Sequence, residues 1–142
     1  METILRLEDK EYKAVYKGIT PRIYREYFGR DLMLDMSNIQ KKFNERVASN
    51  VKENKSEDAY FVLLDVGGSL FYERLVWTCI KAAKELDKEK FIPFNDFMDT
   101  IDDYETYLAT GFYLLEWITF GTKPTVEDEN TEKEEDSNKK KD

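Results

Sequence analysis

Apolar residues recur along this chain at two different spacings. Near the N-terminus they alternate with polar residues, which predicts two short β-strands over residues 3–7 and 12–17 around a polar turn at residues 8–11. Beyond residue 20 they recur every three or four positions, as expected for amphipathic helices. The clearest such stripe is Leu32, Met36, Ile39, Phe43 and Val47. The pattern therefore predicts a mainly α protein with a short N-terminal β-hairpin.

Residues that cap or break helices divide the helical part of the sequence. Thr20-Pro21 predicts a hydroxyl-capped helix start, Gly29 a break, and Asp31 the cap of the following helix. Residues 49–57 are polar and predict a linker. The remaining boundaries are predicted at Gly67-Gly68, at a capping Ser69, at Asn95 or Asp96, at Asp103 and at Gly121. We expect about five helices, over residues 20–48 and 58–120, in one domain of residues 1–124.

The longest apolar helix is expected to follow Ser69. Its inward-facing residues are predicted from the helical spacing, with Trp77 placed at one flank. They are Leu75, Cys79, Ala82, Ala83 and Leu86. With 20 aromatic residues in 142, the chain has enough bulky side chains to build a core around this helix.

The last residues of the chain differ in composition from the rest. Residues 127–142 hold eight acids and four lysines, so they carry −4 of the formal net charge of −8 and leave −4 for residues 1–126. Because residues 125–142 have almost no apolar side chains, we predict that they form a disordered acidic tail. An acidic chain without clustered Lys and Arg is not expected to bind nucleic acid.

The sequence also bears on cellular location. There is no run of about 18 apolar residues that would cross a membrane. The N-terminus is acidic where a secretion signal would be basic and then apolar. A single cysteine, Cys79, has no partner for an internal disulfide. These features predict a protein of a reducing cytoplasm that has no membrane partner.

Residue types that carry catalysis are scarce. The chain has no histidine, one cysteine and no glycine-rich phosphate loop, so the common catalytic triads and zinc sites are not expected. One acidic cluster, at Asp99, Asp102, Asp103 and Glu105, has the oxygen ligands that a divalent cation prefers. It lacks the order of a calcium loop, and we interpret it as a helix cap with solvated neighbours. We therefore predict no enzyme activity, metal or cofactor.

Two aromatic segments are candidate partner-binding surfaces. Aromatic residues and arginine, which the first segment holds, are enriched at the centres of protein–protein interfaces, and the last helix is apolar over a wide arc. The candidates are Tyr24, Tyr27, Arg30 and Asp31 in the first segment, and Phe112, Trp117 and Phe120 in the second. Phe28 is expected in the core. For the two tyrosines and for the last helix, core and interface roles both remain open.

Three segments together resemble a known family. Tyr24-Arg25 and then Tyr27-Phe28-Gly29-Arg30-Asp31-Leu32 form an aromatic–arginine segment joined to a glycine–arginine–aspartate joint. Trp77 precedes Lys81-Ala82-Ala83, and Ile92-Pro93 with Phe97 precedes Glu116-Trp117. In this order and spacing, residues 3–124 resemble the small tail assembly chaperones of long-tailed (siphovirus-type) bacteriophages and prophages. The Gly67-Gly68 pair and the long polar tail depart from the family pattern.

The resemblance implies a helical assembly factor that acts in the cytoplasm of the bacterial host and is not retained in the virion. Such proteins bind the tape measure protein and keep it soluble while the tail tube forms around it. In this family a longer frameshifted product often reaches the tail tube protein. Lys139-Lys140-Lys141 is compatible with a slippery codon run, although solubility also accounts for these lysines. The sequence leaves the oligomeric state open, including a homo-oligomer.

Two other function classes remain as alternatives. An acidic phage-encoded inhibitor of a host enzyme would mimic nucleic acid, but half of the excess negative charge lies in the predicted tail. A small metal-dependent enzyme would rest on the acidic residues 99–105. We rank the chaperone first, the inhibitor second and the enzyme third.

Overall fold

The computed structural model of the chain describes residues 1–121. It contains a two-stranded antiparallel sheet followed by six helices, so the predicted mainly α fold with an N-terminal hairpin is confirmed. The elements are β1 (Glu2–Leu7), β2 (Lys10–Val15), α1 (Ile19–Phe28), α2 (Leu32–Lys52), α3 (Ala59–Gly67), α4 (Ser69–Leu86), α5 (Phe94–Asp99) and α6 (Tyr104–Phe120). The sequence predicted about five helices. The predicted disordered tail, residues 125–142, lies outside the described residues.

The hairpin packs one face on the helical body. Leu5 pairs with Tyr12 and Thr3 with Ala14, and the alternate residues Leu5, Leu7 and Ala14 are buried, largely through contact of β2 with α4. The predicted four-residue turn is wrong. Glu8 and Asp9 alone form the turn, with φ of 52° and 63°, which is the two-residue geometry that matches the twist of paired strands.

Helix α1 begins differently from the prediction. Its N-cap is Gly18, and Thr20 lies inside the first turn with its hydroxyl buried. The Thr20 hydroxyl donates to the Val15 carbonyl and accepts from the Lys17 N–H, each at 3.0 Å. Thr20 therefore fastens the helix to the end of β2. At the other end Gly29 adopts the left-handed conformation (φ 68°), which confirms the predicted break.

Helix α2 starts where predicted and is longer than predicted. The Asp31 carboxylate accepts the Leu34 N–H at 3.0 Å, so Asp31 is the N-cap. Leu32, Met36 and Ile39 are buried, Phe43 is half-buried, and Val47 is exposed because the second half of α2 extends past the core and packs along α3. The predicted linker at residues 49–57 is wrong in its first half, because the helix continues to residue 52.

Arg46 joins α2 to α3. Its guanidinium forms ion pairs with Glu57 and with Asp65, both at 2.9 Å, and it is about one-third exposed. The predicted helix of residues 58–66 is confirmed as α3, capped by the Asp58 carboxylate, which accepts the Tyr60 N–H at 2.8 Å. Gly68 then ends α3 with a φ of 81°, as its sequence position predicted.

Helix α4 is the centre of the fold and contacts β2, α1, α3, α5 and α6. Leu75, Cys79, Ala82 and Ala83 face inward as predicted, but Leu86 is exposed because it ends the helix beyond its neighbours. Trp77, predicted at a flank, is only 1% exposed. Ser69, Asn95 and Asp96 do not act as the predicted N-caps. The N-caps of α4 and α5 are Gly68 and Pro93, and neither helix start has a side-chain cap hydrogen bond.

Helix α6 is bounded as the sequence predicted. The Asp103 carboxylate accepts the Thr106 N–H at 3.1 Å, and Gly121 ends the helix in the left-handed conformation with a φ of 77°. Between these ends α6 packs mainly on α4, and Gly111 of α6 lies directly against Tyr72 of α4.

Candidate functional site

The joint between α1 and α2 holds a network of Tyr24, Arg30 and Asp35. Arg30 donates from Nε to Asp35 Oδ2 and from Nη2 to Oδ1, both at 2.7 Å, in a bidentate pair. The Tyr24 hydroxyl donates to Asp35 Oδ2 at 3.0 Å. Asp35 is buried, whereas the Arg30 side chain is 56% exposed. The two helices are thus fixed at Gly29 by a carboxylate whose two oxygens are both occupied.

The network shifts the pKa values of Asp35 and Tyr24. The Arg30 guanidinium lowers the pKa of Asp35, and the Tyr24 hydroxyl lowers it further, against the opposing effect of burial. Burial raises the pKa of Tyr24, and the adjacent Asp35 carboxylate raises it more. Near neutral pH Asp35 is therefore ionised and Tyr24 neutral, so the network is a structural clamp and not an acid–base pair.

We expect Asp35→Asn to lower the free energy of unfolding by about 1–2 kcal/mol at pH 7, because an amide cannot accept both Arg30 donors as a carboxylate does. The folded-state pKa of Asp35 lies below its unfolded value of about 3.9. Its contribution is therefore complete above that value and is lost as the pH falls through the folded-state pKa. In urea unfolding, the difference in unfolding free energy between the wild type and Asp35→Asn should become smaller as the pH falls below about 4.

Asp31→Asn is the matched control for that measurement, because asparagine caps a helix about as well as aspartate. It should change the unfolding free energy little at pH 7. If the difference in unfolding free energy between the wild type and Asp35→Asn stayed constant down to pH 2, ionisation of Asp35 would not stabilise the joint.

The ring of Tyr27 lies at the surface beside this joint. It is 52% exposed and rests on Trp77, with ring centroids 5.1 Å apart and an angle of 65° between the planes. Trp77 is held in turn by its Nε1, which donates to the Ile92 carbonyl at 3.0 Å. The Lys81 ammonium lies 5.8 Å from the Tyr27 ring centroid, and Ile92 is also exposed. We name Tyr27, Lys81 and Ile92 the Tyr27 surface.

The structure separates the other predicted partner-binding residues by burial. The side chains of Tyr24, Phe112 and Trp117 are buried in the core, which favours the core role over the interface role that the sequence left open for them. Phe112, for example, lies between Tyr60, which stacks on it with centroids 5.3 Å apart, and Tyr72, which meets it edge to face with centroids 4.6 Å apart. Phe120 is 66% exposed at the end of α6, and Asp31 is exposed but engaged as a helix cap.

Phe120 stands next to an open groove between α2 and the end of α6. Thr119 lines the groove from α6, and Met36 and Gln40 line it from α2, together with Ser37, Lys41, Asn44 and Glu45. Its volume is about 530 Å³. Met33 is exposed one turn before Ser37 on the same helix. This α2–α6 groove therefore has an exposed apolar side chain near each wall.

Several apolar side chains are exposed at positions that the sequence did not single out. Tyr60 and Phe61 are exposed on α3, where Val62 and Leu63 are the buried residues. Met33 and Leu34 are exposed in the first turn of α2, directly after the buried Leu32. The sequence signal for these exposed residues is that each lies in a continuous apolar run. A helix that buries only one face leaves part of any run longer than two residues exposed to solvent.

The acidic residues between α5 and α6 act locally. Asp103 caps α6, and its own N–H donates to Glu8 at 2.9 Å, which ties the helix start to the hairpin turn. Within residues 1–121 no group of three or more Cys, Asp and Glu side chains is placed to hold a metal ion. Complete burial raises the pKa of Cys79 to about 12, so its thiol stays protonated as a small apolar side chain.

Comparisons with known proteins do not extend this picture. No protein-family model, curated protein or solved structure matches the chain. The resemblance to tail assembly chaperones thus stays a prediction from the residues that carry it. None of the helices between residues 1 and 121 combines the length and apolar composition needed to cross a bilayer.

Proposed function

We propose that this protein is a tail assembly chaperone of a long-tailed bacteriophage or prophage. In this proposal it binds the tape measure protein in the cytoplasm of the bacterial host, keeps it soluble, and leaves before the virion is complete. It acts by binding and not by catalysis. The proposal rests on the resemblance of residues 3–124 and on one structural observation, the half-exposed Tyr27 ring on its Trp77 support.

The Tyr27 surface has the properties of an interface anchor. A tyrosine loses little conformational entropy on binding when its ring is already held, and Trp77 holds this ring from below. Trp77 is itself fixed by the hydrogen bond to Ile92 and by stacking on Phe91, with centroids 6.3 Å apart. A tape measure protein presents long apolar helix faces, and a preformed aromatic anchor is a suitable contact for them.

The α2–α6 groove provides a second contact in this proposal. Thr119 lines this open groove and Phe120 follows it in the chain, while Met33 lies one turn before the lining residue Ser37, so two exposed apolar side chains lie near the groove. Two separate contacts of modest strength favour release, because each is weak alone and their combined effect disappears when the partner changes geometry. This suits a chaperone that has to leave its client.

The proposal assigns a positioning role to the other predicted residues of the α1–α2 joint. Arg30 is engaged with Asp35, and Asp31 is engaged as the cap of α2, so both fix the joint that carries Tyr27. Tyr24 supports the same joint from inside. Direct contact with the partner is assigned to Tyr27 and Phe120.

Co-expression with the tape measure protein tests this proposal. We expect the long helical chain to be soluble only with this protein and to co-purify with it. Tyr27→Ala should weaken binding by about 1–2 kcal/mol, which is about 5- to 30-fold in Kd, while the thermal unfolding transition stays cooperative. The two measurements are the soluble fraction of the full-length partner on co-expression and the Kd, by calorimetry, for a soluble helical fragment of the partner.

Phe61→Ala is the matched control, because Phe61 is an aromatic residue on α3 of nearly the same exposure as Tyr27. It should leave the Kd unchanged. If Phe61→Ala weakened binding and Tyr27→Ala did not, the surface assignment would be wrong. If the partner were insoluble with or without this protein and nothing co-purified, the chaperone proposal itself would be rejected.

A further inference from the structure

The outer edge of β1, which faces away from β2, is an open strand edge. Within residues 1–121 the sheet has two strands, so β1 has a strand beside it on one side only. Alternate residues of β1, among them Leu5 and Leu7, are buried on the helical body, whereas Ile4 is 48% exposed on the other face. An open strand edge beside an exposed apolar side chain is a template for pairing with a further strand.

The peptide groups of three residues point to this edge. At the end of the hairpin the Tyr16 N–H donates to the Met1 carbonyl at 2.9 Å, so Met1 and Tyr16 form a hydrogen-bonded pair. Such pairs alternate along an antiparallel ladder, and the odd-numbered residues of β1 therefore turn their peptide groups toward β2. Those of Glu2, Ile4 and Arg6 turn away from β2. Within residues 1–121 no hydrogen bond ties the outward peptide groups of Glu2 and Ile4 to another segment.

The exposed face of β1 carries a symmetric pattern of charge. Glu2 lies two residues before Ile4 and Arg6 lies two residues after it, and their side chains are 54% and 74% exposed. Edge strands that stay single are commonly protected by charge, because like charges repel when the strand meets a copy of itself. Opposite charges placed symmetrically about Ile4 have the reverse effect, because they attract each other when two identical strands pair in antiparallel orientation.

We propose that β1 pairs with β1 of a second copy of this chain, antiparallel and centred on Ile4, so that a two-fold symmetric dimer has a four-stranded sheet. Ile4 then lies opposite Ile4 of the partner subunit, and Glu2 of each copy lies opposite Arg6 of the other. This register alone sets all the outward peptide groups against each other. A shift by one residue would set outward groups against inward ones, and a shift by two would leave one of the three residues without a counterpart in the other strand.

The dimer would extend ion pairs that each hairpin already has. Arg6 pairs with Glu11 across the hairpin at 2.7 Å, and the Lys17 ammonium lies 3.9 Å from the Glu2 carboxylate. In the four-stranded sheet Arg6 lies between Glu11 of its own chain and Glu2 of the partner subunit. Cations and carboxylates therefore alternate across the strands in two rows, one on each side of the central pair of Ile4 side chains.

The size of the contact sets its strength. A pair of six-residue strands is a small interface, so we expect a reversible dimer with a Kd on the order of 100 μM. The inference does not depend on the chaperone function, because neither the Tyr27 surface nor the α2–α6 groove includes a residue of β1.

Sedimentation equilibrium of the full chain, between about 10 μM and 1 mM, tests the charge pattern. Glu2→Arg and Arg6→Glu should each raise the dimer Kd at least about tenfold, because each sets like charges opposite one another on both sides of the Ile4 pair. An equimolar mixture of the two variants should dimerise with a Kd near that of the wild type, because their charges are complementary. Glu26→Arg makes the first charge change at an exposed site on α1 and should leave the Kd unchanged.

Ile4→Pro tests the backbone pairing. Proline removes the N–H of residue 4, which points away from β2, so the hairpin keeps its own hydrogen bonds while the dimer loses two at its centre. We expect no dimer of this variant up to about 1 mM. Lys13→Pro is the matched control, because it removes an N–H that points outward from β2 at the opposite edge of the sheet, and it should leave the Kd unchanged.

Three results would overturn the inference. One is a wild-type chain that stays monomeric at about 1 mM. Another is self-association that Glu2→Arg, Arg6→Glu and Ile4→Pro all leave unchanged, since it would use a different surface. The third is a mixture of the two charge variants that dimerises no better than either variant alone. Thermal unfolding shows whether each variant is folded, and if Ile4→Pro is not, the charge variants and their mixture decide.

Discussion

Trp77→Ala is expected to lower the free energy of unfolding by about 3–5 kcal/mol. Trp77 is 1% exposed and lies against Tyr27, Phe28, Phe91 and Phe94, with ring centroids 5.1–6.3 Å away. Its removal would leave a cavity at the place where α1, α4 and the segment before α5 meet, and would also leave the Ile92 carbonyl without its donor. Since small domains have about 5–15 kcal/mol in total, this is a large fraction of the stability.

Urea unfolding followed by circular dichroism measures this effect. Phe120→Ala is the control, because it truncates an aromatic ring that is mostly exposed and should change the unfolding free energy by about 0.5 kcal/mol or less. Equal losses for the two variants would contradict the central position of Trp77. Trp77→Ala also bears on the proposed function, since loss of the ring that fixes Tyr27 should weaken partner binding about as much as Tyr27→Ala does.

Gly111→Val should cost about 3 kcal/mol, at the upper end of the range for overpacked cores. A Cβ at residue 111 would lie 2.8 Å from Tyr72 Cβ and 3.2 Å from the Tyr72 carbonyl oxygen. These atoms belong to the backbone and first side-chain carbon of α4, so they cannot move without shifting the helix. We therefore expect α4 and α6 to move apart, and the edge-to-face contact between the rings of Tyr72 and Phe112 to be lost.

Gly18→Val is the control for position 111. Nothing lies within 4 Å of a Cβ at Gly18, and its backbone (φ −55°, ψ −30°) is open to any residue. The unfolding free energy should change by about 1 kcal/mol or less, the cost of replacing a tolerated capping residue. If Gly111→Val were equally mild, the close approach of α4 and α6 would not be needed for stability.

Local signals predicted the ends of several helices correctly. Asp31 and Asp103 cap the helices that they were expected to cap, and Gly29 and Gly121 adopt left-handed conformations. Each of these outcomes depends on bonds within one turn of the chain. Thr20 is the instructive exception, because its hydroxyl bonds to the end of β2, a strand partner that capping rules do not consider.

Prediction of the candidate site was less complete. Helical spacing placed Tyr24 and Tyr27 in the same segment, and the fold buries the first and exposes the second. Phe112 and Trp117 are buried by α4 and its neighbours, whereas Phe120 extends past them. The α2–α6 groove could not be predicted, because Met36, Gln40 and Thr119 are brought together only by the packing of α2 against the end of α6.

The sequence by itself determined the kinds of element, their order and many of their ends, because periodicity and capping act over a few neighbouring residues. The tertiary structure alone decided that Trp77 is central and that Ile4, Tyr27 and Phe120 face solvent. Burial depends on residues far apart in the chain, and only the packing of the helices brings those residues into contact.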